Sequence, residues 1–313
     1  MLVRIYGFSF EIDDTNKISL SEYFEYLSQN KGIAVPTSSA DRRLYFDYDP
    51  AEDFSYGLMV TVKDQKTFCK LQQQDGGLVI SVENLTGADK LMEFNFFVVN
   101  NDNGFGAFQH YHQSCSVGEF NKSIEAQFRK FRSSLSERDR KTQEDAQDEE
   151  LTQKQIRDIN REYACSLKGR QLIRKEDLTE ILESLNEINS FSYDFISVGD
   201  IEKHSVALAG GIERARERIV FSPQKPKNLL IQGISDLMTV FRPKSGSVAG
   251  KTDNGKKISY DIYDIPQNFG EEDYDDLAAK LNDLNLDNFE SNEVLESLET
   301  LCTSDEYKHI FCV

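Results

Sequence analysis

Residues 94–108 read FNFFVVNNDNGFGAF, and this stretch decides the class of fold. Phe94, Phe96 and Val98 alternate with Asn95, Phe97 and Val99, so a strand over 93–99 is apolar on nearly both faces and belongs in the middle of a sheet. Residues 100–104 are turn formers, and 105–112 returns to strand composition, which predicts a hairpin. Upstream, 44–48, 57–62 and 78–82 read as further strands, with Asp75, Gly76 and Gly77 supplying a turn. Val3, Ile5, Phe8 and Phe10 mark a first strand. Between them a helix is expected: Ser19 or Ser21 caps it, Glu22 and Glu25 occupy its early turns, and Leu20, Phe24 and Leu27 recur at helical spacing before Gly32 and Pro36 stop it.

Downstream of the hairpin a helix is expected over 119–131. Apolar residues then almost vanish over 132–152, where 133–152 read SSLSERDRKTQEDAQDEELT, and such a segment cannot offset its ordering entropy by burial; a mobile linker or a solvated helix is expected. The fold class is therefore α+β, with an N-terminal domain at 1–131 built on an antiparallel sheet, a charged connector at 132–152 and a mixed C-terminal domain at 153–313. In that last part the pattern predicts helices over 155–167 and 175–188, a strand over 191–198 and a helix over 207–218. Strands over 229–234 and 237–241, a Gly/Ser-rich loop, a strand over 257–263 and two acidic helices complete it.

A chain of 313 residues with 39% hydrophobic residues is long enough for two cores. Its five cysteines, Cys69, Cys115, Cys165, Cys302 and Cys312, form no CxxC pair and fit reduced thiols in the cytoplasm. The first ten residues lack the basic and apolar regions of a secretion signal, and no run approaches the ~18 apolar residues of a membrane span.

The formal net charge is −18, which disfavours indiscriminate attraction to phosphate backbones. Its distribution is uneven. Residues 213–257 carry ten Lys or Arg against four acids, whereas 261–313 carry two Lys against fifteen acids.

No catalytic or cofactor fingerprint is present: GxSxG, GxxxxGK[ST] and GxGxxG are all absent. An enzyme assembled from residues distant in sequence stays open. Gly104 and Gly106 suit a hairpin better than a phosphate cradle, and Gly210-Gly211 suits a helix start. His110 and His112, two apart on a strand, would point to one face near Cys115, but three ligands from one short stretch have poor metal geometry, so no metal or cofactor is expected. The acids of 271–276 form a solvated run.

The basic segment offers the candidate site. Arg214 and Arg218 are four apart and would share a helix face, with Arg216 roughly opposite; Lys225, Lys227, Arg242, Lys244, Lys251, Lys256 and Lys257 follow in loops and strand ends. These ten residues either follow a nucleic-acid backbone or pair with the acidic C-terminus of the same chain or of a second copy.

The sequence resembles the RexA-like phage-exclusion and phage-defence proteins. The resemblance rests on ISLSEYFEYL at 18–27, FNFFVVNNDNGFGAF at 94–108, LTEILESLNEI at 178–188 and RERIVFSPQ at 216–224, in that order. It implies a homodimeric, two-domain, non-enzymatic protein that binds DNA and acts with a membrane-protein partner against phage infection.

Overall fold

The computed structural model describes residues 1–13, 17–35, 41–63, 67–74, 77–86, 90–147, 150–174, 177–195, 215–222, 224–241, 246–263, 268–282 and 284–312. The protein is α+β, as its composition of elements predicts. It divides into two compact units: unit 1 comprises Met1–Ile5, Phe10–Lys168 and Glu271–Val313, and unit 2 comprises Tyr6–Ser9 and Gly169–Gly270. Strand β1 (Leu2–Asp13) contributes residues to both.

Unit 1 is organised by β7 (Leu91–Asn100), the strand of the decisive stretch. It pairs antiparallel with β4 (Phe54–Lys63) over ten residue pairs and with β8 (Phe105–Tyr111), in the strand order β1-β8-β7-β4-β3-β2, where β3 is Asp41–Asp47 and β2 is Ile33–Val35. Strands β5 (Thr67–Gln74) and β6 (Gly77–Asn84) form a separate hairpin.

Every β7 residue from Glu93 to Asn100 is buried, so both faces must be covered. On one face, α1 (Leu20–Gln29) and α2 (Val117–Gln147) bring Phe24, Phe120 and Phe128 into an aromatic cluster in which Phe97 lies 4.6 Å from Phe120 and 6.0 Å from Phe46, ring to ring. Helix α1 starts where the sequence places it, because Ser19 and Glu22 form a reciprocal capping box. Its buried Tyr23 donates a 2.7 Å hydrogen bond to the Ile124 carbonyl of α2.

Residues of the acidic C-terminus belong to this unit. Strand β14 (Gly270–Asp273) pairs with β1, and α6 (Tyr274–Ala279) follows. After a 3₁₀ turn over Leu286–Ser291, α7 (Glu293–Thr303) and α8 (Lys308–Phe311) bury Leu277, Phe289, Leu295, Leu298, Cys302 and Phe311. Tyr274 stacks on Phe94 at 6.0 Å, and α7 packs on β7.

The connector expected at 132–152 falls inside unit 1. Residues 132–147 continue α2, and α3 (Gln153–Glu162) begins at a second capping box, Thr152 with Gln155.

Unit 2 is a mixed sheet in the order β11-β10-β12-β13-β9, with β9 at Ser166–Arg174, β10 at Glu187–Phe195, β11 at Ala215–Val220, β12 at Gly246–Lys251 and β13 at Lys257–Tyr263. Helices α4 (Leu178–Ser184) and α5 (Lys227–Phe241) pack on it through Leu178, Leu182 and Ile234, against Phe191, Val248 and Ile262.

Three expectations are corrected here. The two strands expected at 229–234 and 237–241 are the single helix α5: Leu230, Ile234, Leu237 and Met238 recur on one face, and this apolar stripe outweighs the ~1 kcal/mol cost of Gly233 inside a helix. The Gly/Ser loop is β12, in which Gly246, Val248 and Gly250 are the buried alternate positions. An added Cβ at Gly250 would lie 2.8 Å from Leu185, so a small residue is required there. Residues 215–218, expected to end a helix, are strand β11. The rest of that expected helix, 207–214, lies outside the described residues.

At the centre of unit 1, Gly57 pairs with Phe97, and a Cβ at position 57 would stand 1.9 Å from the Phe97 ring. Gly57→Ala is expected to destabilise the protein by about 1–3 kcal/mol through overpacking. Phe97→Leu in the same chain should restore part of that loss, a non-additivity that urea unfolding of the single and double variants measures.

Candidate nucleic-acid interface

The register of unit 2 gathers lysines at one end of its sheet. Strand β10 pairs antiparallel with β11 on one side and β12 on the other, Ser190 facing Val220 and Glu187 facing Lys251. Across the next pairing Lys251 faces Lys257. The end of β11, the start of β10 and the β12–β13 turn therefore lie together.

That turn is held by the Thr252 and Gly255 backbone amides, bonded to the Lys256 and Thr252 carbonyls, and Gly255 takes a φ of +72° there. It presents exposed Lys256 and Lys257. From the end of β11, Phe221 bonds through its amide to the Asn189 carbonyl, and the chain turns through Lys225 into α5. Lys227, the first residue of α5, donates a 2.5 Å hydrogen bond to the Glu183 carbonyl at the end of α4. Lys225, Lys227, Lys251, Lys256 and Lys257 thus share one end of the sheet.

Their electrostatic setting is uneven. Lys251 is 2.7 Å from Glu187 and holds that carboxyl below its usual range through the hydrogen bond between them. Lys227 and Lys225, by contrast, lie at the start of a helix whose first turn contains no acid. Free amides at a helix start carry partial positive charge, so lysines there raise a potential that an anion lowers. This arrangement of cations can hold phosphate oxygens.

The arginines are placed differently from the helical expectation. On strand β11, positions two apart fall on the same side of the strand, and 216 and 218 are two such positions. The alternate residue Ile219 faces Phe191 and packs into the core beneath the helices, and Tyr193 donates a 2.8 Å hydrogen bond to Glu217. Arg218 is exposed, opposite Ser192 on the sheet face that α4 and α5 do not cover. The expectation that Arg216 opposes Arg218 fails because ARERIV alternates with a period of two. Arg214, Arg242 and Lys244 lie outside the described residues, as does Gly210-Gly211.

The other weighed constellations have structural employment. Gly104, at a φ of +74°, accepts a 2.9 Å hydrogen bond from the Phe10 amide through its carbonyl, and a Cβ there would meet the Phe10 carbonyl at 2.4 Å. Strand β8 ends at Tyr111, so His112 is in the following turn rather than beside His110 on one strand face. His110 Nδ1 lies 3.1 Å from Ser114 Oγ and 3.2 Å from the Cys115 carbonyl, and burial pushes the Cys115 thiol up to about 12. Among the described residues no group of three or more His, Cys, Asp or Glu is arranged to hold a metal ion, and no helix is long and apolar enough to cross a membrane.

Comparison of the chain with protein-family models and with curated proteins finds no match.

Burial lowers the His110 pKa below its ordinary 6.5, and the nearby charges of His112 and Arg4 add to the shift against the opposing effect of the imidazole's hydrogen bond to the Cys115 carbonyl. The folded protein therefore binds the His110 proton less readily than the unfolded chain. Its contribution leaves stability unchanged above about pH 6.5 and erodes it as pH falls from there to the folded-state pKa. His110→Gln should flatten the pH dependence of the urea midpoint in that window, and NMR of the imidazole should report titration below 6.5.

Proposed function

We propose that this chain is a non-enzymatic phage-exclusion protein of the cytoplasm that binds DNA through the lysine-rich end of unit 2. The observation that carries the reading is the convergence of Lys225 and Lys227 at the acid-free start of α5 with Lys251, Lys256 and Lys257 at the β12–β13 turn. Anions are favoured where amide dipoles and side-chain charges point the same way. Exposed Arg218 extends the cationic surface along β11. The resemblance to the RexA-like proteins supports the same reading, since RERIVFSPQ supplies β11 and the approach to α5. That resemblance adds a homodimer and a membrane-protein partner to the proposal.

The competing reading, in which the basic segment pairs with the acidic tail, receives less support. Several acids of the tail have partners inside unit 1: Asp273 the Met1 amine at 3.2 Å, Glu271 the Arg4 guanidinium at 3.1 Å, Glu290 the Lys31 ammonium at 3.5 Å and Glu272 that of Lys280. The tail also buries Phe289, Leu295 and Phe311, so its deletion would unfold unit 1 rather than unmask a site.

Fluorescence anisotropy with a labelled DNA duplex across a potassium chloride series tests the proposal. Each lysine that neutralises a phosphate contributes about 0.9 to the slope of log affinity against log salt. Lys256→Gln with Lys257→Gln should lower the slope by roughly 2 and weaken binding about equally for all sequences. Absence of binding by the intact protein at low salt would overturn the reading.

A further inference from the structure

We infer that the crevice between α2 and α3 in unit 1 binds a small phosphate-bearing anion. Arg132, Ser136 and Arg140 recur every four residues along α2 and line one wall; Asn160, Tyr163 and Ala164 line the other, around a volume of about 280 Å³. Two arginines eight residues apart stand about 12 Å apart along a helix axis, a separation that two long side chains span toward a ligand above the residue midway between them.

The polar groups of the crevice are partly committed. Arg132 Nη1 donates to the Cys165 carbonyl at 2.5 Å, which anchors that guanidinium and leaves its other N–H groups as donors. The buried Ser136 hydroxyl donates to Asn160 Oδ1 at 2.9 Å, which orients the Asn160 amide as a donor. Tyr163 donates its hydroxyl to Asp139 at 3.3 Å, and Asp139 lies 3.7 Å from the Lys17 ammonium, so this neighbouring carboxylate is occupied by other partners. Glu137 is the one acid among the lining residues, against two guanidinium groups.

Arg140 is the exception. Its Nε is shielded from water and has no hydrogen-bond partner. A shielded donor left unpaired on a charged group costs on the order of 1–3 kcal/mol, so a turn of the half-buried Arg140 side chain toward an oxyanion in the crevice would relieve that cost. The planar fork of arginine matches phosphate oxygens two at a time, so paired forks with an amide donor between them favour a phosphate or a phosphate ester.

Isothermal titration of the full chain with inorganic phosphate, with a nucleoside 5′-monophosphate and with the parent nucleoside tests the assignment. Saturable binding of either phosphate, with none of the nucleoside, is expected. The stronger of the two phosphates distinguishes a free anion from an ester. Arg140→Gln should weaken binding roughly tenfold or more, because a bidentate charge-assisted contact is lost, and Arg140→Lys should weaken it less. The Lys256→Gln, Lys257→Gln chain should bind as the parent does, which separates this site from the one proposed in unit 2. Circular dichroism confirms that the arginine variants keep their helix. Equal titration of parent and Arg140→Gln, no binding of either phosphate, or loss of binding in the lysine variant instead would overturn the inference.

Discussion

Unit 1 depends on a single steric agreement: the Phe97 ring occupies the space above Gly57 that any side chain would fill. This lets β4 and β7 keep ten consecutive pairings while Phe97 reaches Phe120 on the helical side. Neighbouring polar groups are fixed by the same strand. Asn95, fully buried, donates to the Gln109 carbonyl at 2.9 Å and to Ser114 Oγ at 2.8 Å, and accepts from the Cys115 amide. An asparagine with all these partners is not a defect in the core; it ties the exit of β8 to the residues that precede α2. The direction in which α2 leaves the sheet is thereby set from inside β7.

The acidity of the chain has to be understood through where it is packed. A segment with fifteen acids and two lysines would be expected to remain solvated. It does not, because its apolar residues are spaced for burial: Val294, Leu295, Leu298 and Cys302 line one side of α7, while Glu293 and Glu296 are exposed and Glu299 accepts a hydrogen bond from the Tyr56 hydroxyl. Asp273 caps α6 by accepting from the Asp275 amide, a bond that with the Met1 amine holds its carboxyl below the usual range. Much of the negative charge thus decorates packed elements of unit 1, whereas the lysines of unit 2 rim a sheet end. Net charge alone misjudges such a molecule, since a ligand at close range meets local potential screened within about 10 Å.

What was legible in the sequence follows from how strongly each element declares its period. Strand β7 and its hairpin with β8, the capped helix α1 and strand β13 were readable from alternation, turn residues and Ser19 with Glu22. The helix α5 was not, because Gly233 and the β-favouring Ile231, Ile234 and Val240 imitate two short strands, and only packing on β10 settles the matter. Strand β12 was hidden by the same glycines that its neighbours demand. Among the candidate residues, the lysines stand out by charge alone and the structure brings five of them together, whereas the spacing of positions 216 and 218 is that of a strand and not of a helix. The Arg132, Ser136 and Arg140 series escaped notice because it lies in a segment read only for its lack of apolar residues. Its four-residue recurrence was visible, and it acquires meaning once α3 supplies the facing wall.

The two cationic features differ in kind, and the difference bears on what each can recognise. Lysines at a sheet end are point charges on long flexible stems, mostly exposed, and they suit a polyanion whose phosphates succeed one another along a line. Such contacts release counterions, weaken with salt and discriminate little among sequences. Arginines in a crevice work by geometry. One is anchored to a backbone carbonyl and both line the crevice, so the proposed ligand is one whose oxygens match planar forks. Salt attenuates the first kind of recognition far more than the second, because ions screen exposed charges readily and shielded ones poorly. On the two proposals, a nucleic acid would be recognised by charge density and a small phosphorylated molecule by shape, and ionic strength alone would separate the two.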